Sequence, residues 1–400
     1  MSPSGALVAL VLPRPAAAGA VVAAWEAGEA VLPLDVDAPA PELAAVLAAA
    51  RPTHLVDGDG RRALPAGRPV ETGVAAVVAT SGTAGAPKLV ELGADAIAWS
   101  ATATSRSLEA GPTDRWLCCV PVHGVAGLAV VARAWHTGLP VEVHDRFDPA
   151  AVADAAGRAT LVSLVPTQLR RLLAAGDHAG RFRRVLLGGG PVPAPLVAEA
   201  TTRGVHLVRT YGLTETVGGM THDGHPLPGT EVRTGPEDEL LIRGPMLFRR
   251  YRGDPDRTAA ALRGGWLHTG DLGRVGPDGR LTVLGRRDDL IISGGVNLQP
   301  DEVEAVLATH PGVAEVAVAG RADPEWGQRV AAFVVPTDPE RPPTLAELRS
   351  FTLERLAAAK APRELVLVPS LPRTASGKLL RRLLPDGEAH VDAGLGRHLP

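Results

Sequence analysis

Thr80-Ser81-Gly82-Thr83-Ala84-Gly85-Ala86-Pro87-Lys88 is the stretch from which the rest of the chain can be read. The apolar run 75–80 ahead of it has the character of a strand, and 95–108 beyond it has helical spacing. Gly82 and Gly85 let the backbone turn tightly, which brings amide N–H groups close to an anion. Ser81 and Thr83 add hydroxyl donors and Lys88 adds a positive charge, so the string suits a triphosphate. Its spacing is not that of a P-loop.

Outward from this loop, short apolar runs alternate with helix-like runs. Strand signals recur at 116–122, 141–144, 161–165, 185–187 and 206–209, with helices expected at 125–136, 167–175 and 195–202. That alternation predicts an α/β architecture with largely parallel sheets. After about residue 218 the runs at 239–242, 266–268 and 281–284 are short and broken by Gly, Pro and Asp, which predicts an antiparallel β subdomain. A charged junction at 285–289 precedes a strand at 290–293, a helix opened by Pro300-Asp301-Glu302, strands at 313–319 and 330–335, and a helix at 345–356. The expected division is a large domain over 1–287, with its β-barrel-like part at about 218–285, and a small α+β domain over 288–400.

Composition bounds the function. The chain has 400 residues, 45% of them hydrophobic and 21% charged, as in a globular protein of two or three domains. Forty-one basic residues against 44 acidic ones give a net charge of −3, which disfavours general binding to nucleic acid or anionic membranes. No apolar run reaches the roughly 18 residues of a membrane span, and residues 5–12 lack the features of a signal peptide. Cys118 and Cys119 are adjacent, a pair too strained to form a ready disulfide. A reducing, cytoplasmic setting is therefore expected.

Further motifs follow in order. Arg209-Thr210-Tyr211-Gly212-Leu213-Thr214-Glu215-Thr216 ends a strand. Tyr211 offers a flat ring to a base, Thr214 a hydroxyl to phosphate, and Glu215 a carboxylate to Mg²⁺. Trp266-Leu267-His268-Thr269-Gly270-Asp271, Gly285-Arg286-Arg287-Asp288-Asp289, Ser293-Gly294-Gly295 and Pro372-Arg373-Thr374-Ala375-Ser376-Gly377-Lys378 complete the set. Together these strings resemble the signatures of the adenylate-forming superfamily, which contains acyl-CoA synthetases, peptide-synthetase adenylation domains and luciferases.

The resemblance implies a large N-terminal domain of two α/β subdomains plus a β-barrel, and a mobile C-terminal domain. It implies ATP, Mg²⁺ and coenzyme A as cofactor and co-substrates. Thr80, Ser81, Gly82, Thr83 and Lys88 then hold phosphate. Gly189, Tyr211 and Gly212 hold the nucleotide, Asp271 the ribose hydroxyls, and Arg286 ribose and phosphate. Lys378 stabilises charge at the α-phosphate and acyl carboxylate, Glu215 holds the metal, and Asp288 is the pivot of the small domain. Gly295 and Trp326 belong to the path of the coenzyme A arm. A non-catalytic nucleotide-binding relative is disfavoured by intact Glu215, Asp271 and Lys378.

The acid is argued from the region between the first two signatures. No FDxS-like string precedes Pro121, which disfavours amino acids, and the chain is short for a fatty-acyl-CoA synthetase. Pro121-Val122-His123-Gly124-Val125-Ala126-Gly127-Leu128 and Ser163-Leu164-Val165-Pro166-Thr167-Gln168-Leu169 resemble strings of the o-succinylbenzoate-CoA ligases of menaquinone biosynthesis, whose actinobacterial forms are also short. The acid so implied keeps one carboxylate unreacted. His123, Ser163, Thr167 or the cation Arg133 could satisfy it, with Gly188 beside the acyl group. Another aryl acid or a medium-chain acid is the alternative. Partners are thus small molecules, and a homodimer is compatible with the pattern.

Overall fold

The computed structural model of the chain describes residues 5–80, 87–293, 296–374, 379–385 and 390–391. Among the described residues the strands assemble into four sheets. The first runs in the order Arg250–Tyr251, Lys88–Gly93, Val74–Thr80, Ala30–Leu34, Leu7–Val11, His54–Asp57, Gly60–Ala63. The second runs His225–Pro226, Gly218–His222, Leu207–Leu213, Arg184–Leu187, Leu161–Leu164, Trp116–Cys118, Val141–Val143. The inner strands of both are parallel, with antiparallel strands at the edges.

Period-2 alternation sets the layers. Val8 and Leu10 face a core shared with the second sheet, while Leu7 and Ala9 face the outer core under the helix Ala40–Ala50. In the second sheet Trp116 and Cys118 face the shared core, and Leu117 and Cys119 face outward onto helices Pro149–Ala155, Pro166–Ala174 and Ala194–Thr202. The two cysteines therefore point to opposite faces, and both are free and buried. Helices Ala94–Ser107 and Val125–Thr137 fill the shared core between the sheets. Large side chains there, such as Trp116, Ile97 and Leu128, are almost wholly buried, each worth roughly 1.5–3 kcal/mol.

The loop after Thr80 does not lead straight into a helix. Thr80 and Lys88 are register partners of an antiparallel pair, and the strand Lys88–Gly93 comes before the helix Ala94–Ser107. Two expectations need correction. The second sheet does not stop near residue 218 but continues through Gly218–His222 and His225–Pro226. The strands beyond form a five-stranded antiparallel sheet, Glu231–Thr234, Glu239–Arg243, Trp266–Val275 and Leu262–Arg263, with Leu281–Arg286 also on Trp266–Val275. No pairing among the described residues joins its edge strands into a closed barrel. The long strand Trp266–Val275 takes Leu262–Arg263 and Leu281–Arg286 one after the other along the same edge, which widens the sheet without closing it.

The last sheet is ordered Val296–Leu298, Ile291–Ser293, Gly327–Pro336, Glu364–Leu367, His390–Val391, with Val313–Asp323 also paired to Gly327–Pro336. Helices Pro300–Leu307 and Leu345–Leu353 cover one face through Val303, Leu307 and Leu348. Phe333, Val366 and Leu371 make a smaller core on the other.

Candidate active site

Parallel strands place their carboxyl ends side by side, which is where open α/β sheets bind ligands. In the second sheet the strands Leu207–Leu213, Arg184–Leu187, Leu161–Leu164 and Trp116–Cys118 are consecutive neighbours. Thr214 follows the first, Gly188 and Gly189 the second, Thr167 the third and His123 the fourth. Their long sequence separations collapse into one edge. The turn at Gly188 is tight, since a Cβ there would lie 2.7 Å from Thr210 Oγ1. Gly212 is tighter still: a Cβ would lie 1.7 Å from the Gly218 carbonyl oxygen.

Two groups meet at Glu215. Lys88 Nζ donates to its Oε1 at 2.6 Å, and the Tyr251 hydroxyl donates to the same atom at 2.7 Å. Lys88 thus bridges the first sheet to the end of the second. Burial would raise the Glu215 carboxyl, but the Lys88 ammonium and the hydrogen bonds outweigh it and hold the group below the ordinary carboxylate range. Burial, then the neighbouring Glu215, keeps the Tyr251 phenol protonated. Tyr251 carries no signature in the sequence. Only the pairing of Arg250–Tyr251 with Lys88–Gly93 brings it here.

A second cluster forms around Asp271. The Tyr211 hydroxyl donates to Asp271 Oδ2 at 2.6 Å, and Arg286 Nη1 lies 3.1 Å from Oδ1. Asp271 and Arg286 are register partners on antiparallel strands, so the third and fourth motifs face each other by sheet geometry. Burial and then Asp271 push the Tyr211 phenol well above its usual range, so it remains a donor. The acceptor-only carboxylate is thereby fixed in place on a rigid strand.

A third group lies deeper. Arg133, on the helix Val125–Thr137, is 4% exposed and has no carboxylate partner among the described residues. Its Nη1 approaches Ser163 Oγ at 3.4 Å, its guanidinium sits 5.3 Å from the centre of the Trp116 ring, and its Nε is buried without a partner. Burial lowers it to about 10, so it is charged at neutral pH. His222 lies close by. Its Nδ1 shares a 2.7 Å hydrogen bond with Ser107 Oγ, and its Nε2 is buried without a partner. Burial and then Arg133 lower His222 to about 4, so it is neutral.

Other expected residues fall as follows. His123 Nε2 lies 3.8 Å from Asp35 Oδ2, and no contact among the described residues joins it to Ser163 or Arg133. Burial lowers its pKa, with Asp35 opposing. Thr167 is inside the helix Pro166–Ala174, whose cap position is Val165; Gln168 Oε1 accepts from the Val165 N–H at 3.1 Å. Thr80 Oγ1 donates to the Lys88 carbonyl at 3.4 Å. Asp288 occupies the turn between Leu281–Arg286 and Ile291–Ser293. Trp326 lies at the hairpin turn between Val313–Asp323 and Gly327–Pro336, with the Arg363 guanidinium 3.9 Å from its ring centre. Ser81, Gly82, Thr83, Gly295 and Lys378 lie outside the described residues.

The donor sets fit the expected groups. Glu215 is a buried, ionised carboxylate, and both of its side-chain bonds above fall on Oε1, a donor set compatible with a metal ion. No group of three or more His, Cys, Asp or Glu among the described residues could hold a metal. A single carboxylate such as Glu215 fits Mg²⁺, which takes one or two carboxylates and completes its shell with phosphate and water.

The sheet edge thus carries a buried ionised carboxylate, a lysine on it and a fixed acceptor beyond, and the chain belongs to the AMP-binding enzyme family. The model of the AMP-binding enzyme matches residues 62–252, and that of the AMP-binding enzyme C-terminal domain matches 302–378. Within it the chain is 42% identical over 336 residues to a Mycobacterium tuberculosis protein named "Probable 2-succinylbenzoate--CoA ligase", covering 80% of this chain and 86% of that one. It is also similar to the o-succinylbenzoate CoA synthetase of Bacillus subtilis in complex with the acyl-adenylate intermediate OSB-AMP, with a TM-score of 0.86, 31% identity, and coverage of 96% of this chain and 89% of that one. The same synthetase in complex with ATP and magnesium ion gives a TM-score of 0.85 at 31% identity, covering 95% and 89%.

Proposed function

We propose that the chain is an ATP- and Mg²⁺-dependent acid–thiol ligase that converts 2-succinylbenzoate to its coenzyme A thioester. The substrate carboxylate attacks the α-phosphate of ATP and expels pyrophosphate. The coenzyme A thiol then attacks the acyl carbon and expels AMP. Lys88, with Ser81, Gly82 and Thr83, receives phosphate, and Thr214 adds a hydroxyl. Asp271, held by Tyr211 and Arg286, accepts from the ribose. Lys378 stabilises the charge developing at the reacting phosphate and carboxylate. Glu215 would hold Mg²⁺, which would offset phosphate charge when bound.

One observation carries the choice of acid: a buried guanidinium with no carboxylate against it among the described residues, where the other buried charges described are paired. Arg133 and Ser163 would take the carboxylate that does not react, with His123, Thr167 and Gly188 lining the strand ends. The relatives named above support the same acid. We further place the domain division at 287/288 and the enzyme in the cytoplasm; no helix among the described residues is long and apolar enough to cross a membrane. Sedimentation would decide whether it acts as a homodimer.

Pyrophosphate release is measured with a panel of acids. Arg133→Met should raise the KM for 2-succinylbenzoate about 10- to 100-fold, the loss of one charge-assisted hydrogen bond. Aryl acids without a second carboxylate should hardly change, and the KM for ATP should stay put. Equal losses for both kinds of acid would sink this assignment. Preference of the unaltered enzyme for a monocarboxylic aryl or medium-chain acid would replace the substrate.

A further inference from the structure

Arg381 opens the short 3₁₀ turn Arg381–Leu383, just past the C-terminal signature. Its guanidinium reaches three elements at once. Nη1 meets Asp289 Oδ2 at 3.1 Å, in the turn that follows Asp288. Nη2 meets Asp301 Oδ1 at 2.6 Å and Glu304 Oε1 at 2.8 Å on the helix Pro300–Leu307. Nε donates to the Val318 carbonyl at 3.2 Å on the strand Val313–Asp323, and the Val318 N–H donates to Glu304 Oε1 at 2.7 Å. Three carboxylates thus surround one largely buried guanidinium. Burial outweighs Arg381 enough to push Glu304 up to about 7 and to raise Asp301. Such a cluster depends on its cation, because its removal leaves acids facing one another.

The flanks of the signature are fastened as well. Arg373 and Leu379 form an antiparallel bridge, Leu380 N–H donates to the Pro372 carbonyl at 2.9 Å, and Arg373 Nη2 lies 2.7 Å from Glu315 Oε2. Contacts to Glu315 and Val318 hold the segment to its own domain. The bond to Asp289 lies within that same domain and joins the segment to the residue directly after the pivot.

We propose that Arg381 is a positioning residue that ties the described residues flanking the C-terminal signature to Asp289, so that the turn after the pivot and these flanks move as one body. The proposal rests on the reading above of Asp288 as pivot and of Lys378, three positions earlier in sequence, as the adenylating lysine. A lysine on a segment loose from the pivot would visit many orientations, and misplacement by about 1 Å can cost roughly 10²-fold in rate.

The test separates the half-reactions. Pyrophosphate release reports adenylation, and coenzyme A consumption from synthetic acyl-AMP reports thioester formation. Arg381→Met should lower kcat for adenylation about tenfold or more, with the KM for ATP within about twofold and thioester formation largely kept. Arg381→Lys should recover part of the loss. Asp289→Asn, a milder change on a partly exposed residue, should lower adenylation in the same direction, and the double variant should be no worse than Arg381→Met. Proportional loss of both half-reactions, or no loss in either, overturns the proposal, and Asp289→Asn answers even if Arg381→Met folds poorly. Lys378→Ala is the control. If it abolishes adenylation while Arg381→Met and Asp289→Asn do not affect it, positioning fails alone; if it leaves adenylation intact, the reading beneath fails with it.

Discussion

Lys88, Glu215 and Tyr251 show how a charged site is kept inside a protein. The Glu215 carboxylate is buried, and it stays ionised because a cation and a phenol bond to it at 2.6 and 2.7 Å. His222 is the opposite case, a buried ring kept neutral beside Arg133. Its folded pKa of about 4 lies below the ordinary imidazole value of 6.5, so the unfolded state binds more protons between these values. Stability is therefore full above about pH 6.5 and falls as pH drops towards 4, by on the order of 3 kcal/mol for this group. Urea unfolding of His222→Phe should show a flatter dependence on pH across that window. A slope identical to that of the unaltered protein would mean that another group sets it.

At the scale of elements, glycine identity decides how closely strands approach. Gly212 pairs with Gly219 where the register between Leu207–Leu213 and Gly218–His222 shifts. Its missing Cβ would collide with backbone, which cannot swing aside as a flexible side chain can. Gly212→Ala should therefore lower stability by at least about 1–3 kcal/mol and displace Thr214 and Glu215 with the strand. Thermal unfolding together with ATP kinetics checks this. A normal melting temperature would show that the strand pair separates at little cost. The Thr80–Lys88 hairpin teaches a related lesson. Only six residues, 88–93, separate the loop from the helix Ala94–Ser107, and their apolar run merged with the helical pattern.

At the scale of the molecule, Asp288 lies between the last strand of the third sheet and the first of the fourth. The neighbouring turn bonds run from the Asp289 N–H to Arg286 and from the Leu290 N–H to Arg287, and the Asp288 N–H has no partner among the described residues. Proline there costs no backbone bond among these, yet it fixes φ near −65°. Asp288→Pro should hold the small domain in one pose, keeping pyrophosphate release and losing thioester formation from supplied acyl-AMP. Lys378→Ala should do the reverse. Proportional loss of both steps in both variants would rule out alternation about this residue.

The sequence alone determined the family and the order of its motifs. Local strings do this because a phosphate-binding turn, a strand end and a hinge each need particular residues at fixed spacing. It also determined the parallel α/β core, because that pattern lies in apolar runs a few residues long. The first 74 residues, with the strands Leu7–Val11, Ala30–Leu34 and His54–Asp57, stayed illegible, since their Ala-rich runs fit helix and strand equally well. The separate roles of Cys118 and Cys119 became clear only when the strand placed them on opposite faces. Tyr251 on Glu215, Arg133 over Ser163 and Arg381 on Asp289 were decided by tertiary structure alone. Each joins residues 30 to 92 positions apart, and no local spacing encodes such a contact. Only the packing of sheets and helices creates it, by burying a charge where a particular partner must answer it.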